Sequence, residues 1–523
     1  MKPIIGIDLG TTFSAIAVLD ESGTANIIPL DDGERIMASC ISAPSSEKGT
    51  LYVGNAARAD LSVEPGNVIQ HFKRHMGEDK VYKLDSGPSL NPADASSRVL
   101  KKLIQEAEKT VGKIDEVVIT VPANFAERQR ASTIEAGKKA GVKVKNIINE
   151  PTAAALTLAT KQKVHGTVLI YDLGGGTFDV TIANVEGQEV ECLTSEGDFH
   201  LGGVDFDNAI CSLVDEAHAS EYGKSLKQAL GITSEEQERK SPEWQELLLE
   251  CEEIKKALSK RSSAPLRYRS SPSGPLNISI SRSDFETKIQ DYISKTEMLI
   301  ETALDNVDMS PSDIDIVLLV GGSTRIPAVK ESLRQMFGKE PTESVNPDEA
   351  VAIGAAIYSG LRADSSDLNP LQREKLEDVA IQDVANHYYG TIAMHFDEER
   401  EEAEQAVSII IDKDSKLPCS FTEEFVTMSD GQRFINCKVT QCATRETNPQ
   451  FVNIIHDKKM GPLPPNRPAG QTIEITYKYN LNQSMICEFH DVESGIRHKV
   501  ELNPDNSASQ SSAGLDLDDL VIE

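Results

Sequence analysis

Two carboxylates mark where chemistry is most legible in this sequence. Asp8 lies in IIGIDLGTTF (4–13) and Asp172 in VLIYDLGGGTF (168–178), 164 positions apart (172 − 8). In each, an apolar run ends in Asp-Leu-Gly, passes a Gly/Thr turn and resumes as a second apolar run, Ala15 to Leu19 and Val180 to Ala183. The pattern predicts a β-hairpin with a tip stripped of bulk. Gly10, Gly174, Gly175 and Gly176 are expected to turn with positive φ and expose their N–H groups. Thr11, Thr12 and Thr177 add hydroxyl donors. Asp8 and Asp172, at strand ends, suit a hydrated Mg²⁺. Such a tip fits a phosphate chain with its metal, and a pair of them predicts two related lobes closing on one nucleotide from opposite sides. No GxxxxGK[ST] occurs, so a Walker-type site is not expected.

The surrounding pattern says what must position these groups. Through residue 361, strand-like runs alternate with helical ones, as in α/β layers. Val99, Leu100, Leu103, Ile104, Ala107 and Val111 recur at helical spacing, with Gly112 as a cap. EVVITVPANF (116–125) reads as a buried strand running into Pro122, followed by a helix over 127–140. Asn149 is a natural N-cap for a helix with Pro151 in its first turn. Ile314 to Val320 reads as a strand that Gly321-Gly322-Ser323-Thr324 turns into the next helix, and NPDEAVAIGAAIYSGL (346–361) starts another, rich in small residues. Residues 362–383 are polar and read as a linker. Beyond them, 384–504 carries short β-rich runs separated by turn signals, and 505–523 is expected to be a disordered acidic tail.

With 523 residues and 39% hydrophobic content, the chain holds more than one domain with real cores. A net charge of −30 argues against nucleic acid and anionic membrane surfaces, which need clustered Lys and Arg. No long apolar run and no h-region with a cleavage site is present, so no membrane span or secretion signal is expected. Eight Cys without a CxxC pair predict reduced thiols and a cytoplasmic location.

IGIDLGTTFS, INEPTAAAL, DLGGGTFDV, HLGGVDFD, LVGGSTRIP and NPDEAVAIGAA stand in one order along residues 1–361. In these motifs the chain resembles the 70-kDa heat-shock chaperones, the DnaK or Hsp70 type. The resemblance implies an α/β actin-like ATPase of two lobes and four subdomains over 1–361, which binds ATP or ADP with Mg²⁺. It implies that Lys73 reaches the γ-phosphate and that Glu150, Asp179 and Thr177 surround the attacking water. Asp8 and Asp172 would then lie near Mg²⁺, and Gly10, Thr11, Thr12, Phe13, Gly174, Gly175, Gly176, Gly202 and Gly203 near the phosphates. Glu252, Lys255, Lys256 and Ser259 match the helix against the adenosine; Gly321, Gly322, Ser323, Arg325 and Asp348 match the opposite wall. Pro122, Arg130 and Asp383 match an allosteric relay. Lys256 replaces an Arg that stacks on adenine in the family, so weaker nucleotide affinity is expected. The stretch after Lys73 is shorter than usual, which trims one upper subdomain. Asn146 stands where members carry an Arg that docks J-domains.

More faintly, 384–504 resembles the family's β-sandwich for extended peptides, with Met394, Phe425, Met428 and Ile435 implied in the groove. DVAIQDV (378–384) matches the linker but is less apolar, so weak interdomain coupling is expected. The family's helical lid has no counterpart in these 523 residues, so fast peptide exchange is expected. The resemblance implies a monomeric chaperone that serves unfolded or extended polypeptide clients in the stress response. Its partners would be a J-domain co-chaperone and a nucleotide exchange factor. Two alternatives stay open: a nucleotide-binding co-chaperone or regulator with little ATP cycling, and a metabolite kinase of the same superfold.

Overall fold

The two glycine-tipped repeats build the same strand pattern twice. The structure is a computed structural model that describes residues 2–162, 164–342, 346–397, 402–481, 484–502 and 521–522. In the first sheet Ile5–Asp8 pairs antiparallel with Phe13–Leu19 on one side and parallel with Glu116–Val121 on the other. In the second, Val164–Leu173 pairs antiparallel with Phe178–Gly187 and parallel with Ile316–Val320. The sheets match over four strands, with Ala25–Ile27 in one and Glu189–Asp198 in the other next to the hairpins, and then differ: Lys143–Asn149 adds a fifth strand beside Glu116–Val121, and Ala380–Gln382 adds one beside Glu189–Asp198. Apolar runs ending at Asp8 and Asp172 thus place both carboxylates at the same edge of equivalent strands.

Between the sheets lie the helices Glu150–Lys161 and Ala350–Leu361, and one core takes residues from both sheets and both helices. Their small residues let the backbones nearly touch: a Cβ on Gly354 would lie 1.8 Å from the Ala153 carbonyl oxygen. The helix Pro92–Val111 forms as its pattern predicts, opened by an Asn91–Asp94 capping box and ended by Gly112 at φ 80°. Asn149 occupies the N-cap position of Glu150–Lys161 without capping it, because its side chain bonds elsewhere.

Two four-stranded antiparallel sheets make up the C-terminal part. Their order is Glu402–Ile411, Tyr388–Asp397, Ile435–Cys442, Asn453–Met460 in one and Cys419–Val426, Thr472–Tyr479, Met485–Asp491, Arg497–Leu502 in the other. They share one core, including Tyr389, Val439, Tyr477 and Phe489. All eight cysteines are unpaired thiols. Among the described residues no helix is long and apolar enough to cross a membrane.

Two expectations need correction. Residues 362–383 are not a bare polar connection: they hold the helix Pro370–Leu376 and the strand Ala380–Gln382, and Leu376 and Val379 join the core between the large sheets. Gln372 also binds the carbonyls of Leu19 and Asp20, an anchor that a polarity profile reads as solvation. The tail is likewise not wholly disordered. Residues 503–520 lie outside the described residues, but Val521–Ile522 is a strand paired parallel with Thr50–Val53. An aliphatic pair at the end of an acidic run finds an open strand edge there.

Candidate functional site

A cleft of about 1000 Å³ opens between the two hairpin tips. Asp8, Gly10, Thr11, Thr12 and Phe13 line it from the first hairpin, and Asp172, Gly174, Gly175 and Thr177 from the second. The tips meet closely: a Cβ on Gly175 would stand 1.9 Å from Thr12 Oγ1. Positive φ is not the reason for these glycines, since none of Gly10, Gly174, Gly175 and Gly176 adopts it. Close approach is the reason, and a Cβ on Gly10 would lie 1.9 Å from the Phe13 carbonyl oxygen.

Four carboxylates, Asp8, Glu150, Asp172 and Asp179, surround one buried ammonium. Lys73, 3% exposed, makes a 2.5 Å ion pair with Glu150. It sits on the turn Phe72–His75, which the left-handed His71 (φ 57°) aims into the cleft. Thr120 Oγ1 donates to Asp8 Oδ1 at 2.9 Å. Burial, reinforced by the negative charge of Glu150, pushes Asp8 up to about 7 and Asp179 up to about 8, with Lys73 opposing. The same two causes hold Asp172 well above the ordinary carboxylate range. A single lysine against four carboxylates leaves the site short of positive charge, which suits a hard divalent cation. Thr12 Oγ1, on the cleft wall, is buried without a hydrogen-bond partner among the described residues, a further sign of a site built for added ligands.

The side walls match the second half of the expected set. The helix Pro242–Leu258 carries Glu252, Lys255 and Lys256 along the cleft, with Ser259 following it. Lys255 Nζ donates to the Gly203 carbonyl at 2.9 Å and pairs with Asp207 at 2.8 Å. Opposite, Gly321 at φ 81° opens the turn Gly322–Arg325, whose Ser323 Oγ donates to the Gly174 carbonyl. Arg325 pairs with Asp348 at 2.9 Å. Gly176, Gly202 and Asp179 stand one layer behind the wall: Asp179 is paired across the strands with Asp172, and a Cβ on Gly202 would lie 2.6 Å from the Gly176 nitrogen.

Three groups were missed. Arg74 pairs with Asp205 at 2.5 Å and donates to the Gly176 carbonyl at 3.0 Å, bridging the cleft beside Lys73. Arg58 stands over the Phe13 ring and pairs with Glu252. Thr120 steadies Asp8. Arg74 adjoins Lys73 in FKRHMG, the one local hint; Arg58 and Thr120 meet their partners only through folding.

Pro122, Arg130 and Asp383 lie away from the cleft, but one residue links the latter two to it. Arg130 Nη2 donates to Asn149 Oδ1 at 2.9 Å, and Asn149 Nδ2 donates to Asp383 Oδ2 at 3.0 Å. The next residue is Glu150, partner of Lys73. The linker strand lies beside Glu189–Asp198, Val190 opposite Ile381. Beyond it the β-sandwich rests on the N-terminal part through Lys413–Glu196 and Lys416–Glu191 ion pairs and a Tyr358 hydroxyl on the Leu481 carbonyl. At its centre the Glu127 N–H donates to Gln441 Oε1 at 3.4 Å, and the Tyr389 hydroxyl lies 3.5 Å from Glu127 Oε1. Burial pushes the Glu127 carboxyl up to about 7, against the pull of Arg130. Asn146 is buried on the strand Lys143–Asn149.

Of the groove residues, Met394 and Met428 are exposed, whereas Phe425 and Ile435 are half-buried against the sandwich core. Exposed large apolar side chains gather on this part, Phe421, Val426, Phe434 and Phe451 among them.

A family model described as Hsp70 protein matches residues 4–516. The chaperone protein DnaK of Thermotoga neapolitana is 35% identical over 498 residues, 94% of this chain and 79% of that protein. The DnaK of Thermotoga petrophila matches with the same identity and coverage.

Proposed function

The chain belongs to the Hsp70 family and is an ATP-dependent chaperone with ATPase activity, and from that premise we propose how its residues divide the work. Residues 1–361 act as an actin-like ATPase of two lobes and four subdomains, 362–383 as the interdomain linker, and 384–504 as the peptide-binding β-sandwich, followed by the acidic tail 505–523. The observation that carries this reading is the meeting of the two hairpin tips over a single Lys73–Glu150 pair.

ATP binds with its phosphates against the N–H groups of the two tips and the turn at Gly202–Gly203, and its adenosine between Glu252–Ser259 and Gly321–Arg325. Asp8 and Asp172 would hold Mg²⁺ through its water shell, and the bound ion would neutralise phosphate charge. Lys73 draws charge from the γ-phosphate; Glu150, Thr177 and Asp179 orient a water molecule. Extended apolar segments of unfolded clients lie along the sandwich, where main-chain hydrogen bonds hold them and Met394 and Met428 offer adaptable contacts. The protein works as a cytoplasmic monomer in the stress response, with a J-domain co-chaperone and an exchange factor as partners.

A second reading, a nucleotide-binding regulator that cycles little, is favoured by one observation: buried Asn146 presents no cation to a J-domain. Single-turnover hydrolysis of ATP with Mg²⁺, measured with and without an apolar peptide, separates the two. Peptide-stimulated turnover is expected. Tight binding without turnover would establish the regulator, and absence of nucleotide binding would overturn both.

A further inference from the structure

The tail segment LDLDDLVIE (515–523) carries the aliphatic pair Val521–Ile522 just before Glu523, in an acidic surrounding. Val521–Ile522 forms the outer strand of a sheet ordered Val521–Ile522, Thr50–Val53, Cys40–Ser42, Val68–Gln70. Val521 lies opposite Thr50 and Ile522 opposite Leu51, in parallel. Without this strand Thr50–Val53 would be an open edge, with backbone N–H and C=O groups facing solvent. The Ile522 side chain packs on the core that contains Leu51, Ile41, Ile69 and Phe72. The far strand of the sheet, Val68–Gln70, runs through His71 into the turn that carries Lys73. Sheet, core and Lys73 turn therefore form one continuous body, and the end of the tail is seated on it.

We propose that Val521–Ile522 is a strap that docks in cis on the edge of Thr50–Val53 and ties the end of the β-sandwich to the lobe carrying Lys73. The sandwich ends at Leu502, and the 18 intervening residues (503–520) can span roughly 60 Å when extended. With the linker at one end and the strap at the other, the sandwich is held at both ends of its chain, which keeps its local concentration high when it undocks. The acidic residues Asp516, Asp518 and Asp519 keep the segment soluble when it is released, while the core supplies the burial that the Ile522 side chain lacks in water.

Hydrogen exchange of the amides of Thr50–Val53 tests this in the full chain, in a chain ending at Leu502 and in the full chain with Ile522→Asp. Exchange in the full chain should be slower by roughly threefold or more than in either variant, and independent of protein concentration. The Ile522→Asp chain keeps the test decisive if the shortened chain folds poorly. Equal exchange in parent and variants would overturn the strap. Protection that grows with protein concentration would overturn it too, because the strand would then come from a second copy.

Discussion

At Gly175 a single methyl group decides whether the two hairpins can meet. Its Cβ would stand 1.9 Å from Thr12 Oγ1 and 2.8 Å from Thr12 Cβ, so Gly175→Ala forces the tips apart. ATP affinity should fall about tenfold or more, some 1.4 kcal/mol, in an equilibrium binding assay. Removing the opposing side chain should relieve the clash, so Thr12→Gly with Gly175→Ala should bind more tightly than Gly175→Ala alone. A double variant no better than the single one would mean that the glycine serves something other than close approach. At Lys73 the substitution Lys73→Met removes the only ammonium paired with Glu150 among the described residues. Single-turnover hydrolysis should drop by a factor of about 10²–10³ while ATP still binds, since the lost interaction lies at the developing charge. A rate within threefold of the parent would remove Lys73 from the reaction.

At the scale of elements, the helix Glu127–Lys139 meets the sandwich through its first residue. Burial raises the Glu127 carboxyl from 4.5 to about 7 in the docked arrangement. Arg130, Tyr389 and Tyr479 face it; nearby, beside Arg130, His387 is pushed down to about 3 by burial and stays neutral over the same range. A carboxyl with a raised value favours docking while it holds its proton. Docking should therefore be strongest near pH 4.5, weaken as pH rises toward 7 and level off above it. Protease resistance of residues 378–383 across this range reads the equilibrium. Glu127→Gln should flatten the profile and protect the linker above pH 7; a profile unchanged by that substitution would place the titrating group elsewhere. The linker strand follows the same logic of mixed contacts. Ala380 is exposed and Ile381 half-buried, whereas Val379 and Val384 join the core between the large sheets, so the DVAIQDV stretch docks through apolar burial as well as through the ion pairs and Tyr contacts beyond it.

For the whole molecule, the important fact is that Asn149 and Glu150 are adjacent. One side chain bonds Arg130 and Asp383 at the linker, and the other holds Lys73 in the cleft. A shift of the linker would thus act one peptide unit from the Lys73–Glu150 pair. We expect Asn149→Ala to lower peptide stimulation of turnover toward the rate of a chain ending at 377, with basal turnover changed less than threefold. Full stimulation in Asn149→Ala would show that coupling runs by another route.

What the sequence alone determined was local or repeated. The Asp-Leu-Gly repeats, strand–helix alternation and glycine caps such as Gly112 are written in short periods, so Asp8 and Asp172 could be named from the residues before any fold was known, whereas Lys73 and the side-wall residues came only with the resemblance to the Hsp70 family. Tertiary structure decided what depends on residues far apart in the chain: that Gly175 faces Thr12, that Asn149 leaves its helix cap for Asp383, that Arg58 reaches Glu252, and that Val521–Ile522 closes the edge at Thr50. The physical reason is that periodicity reports which face of an element is apolar, whereas partners are chosen by the packing of whole sheets, which no local window contains.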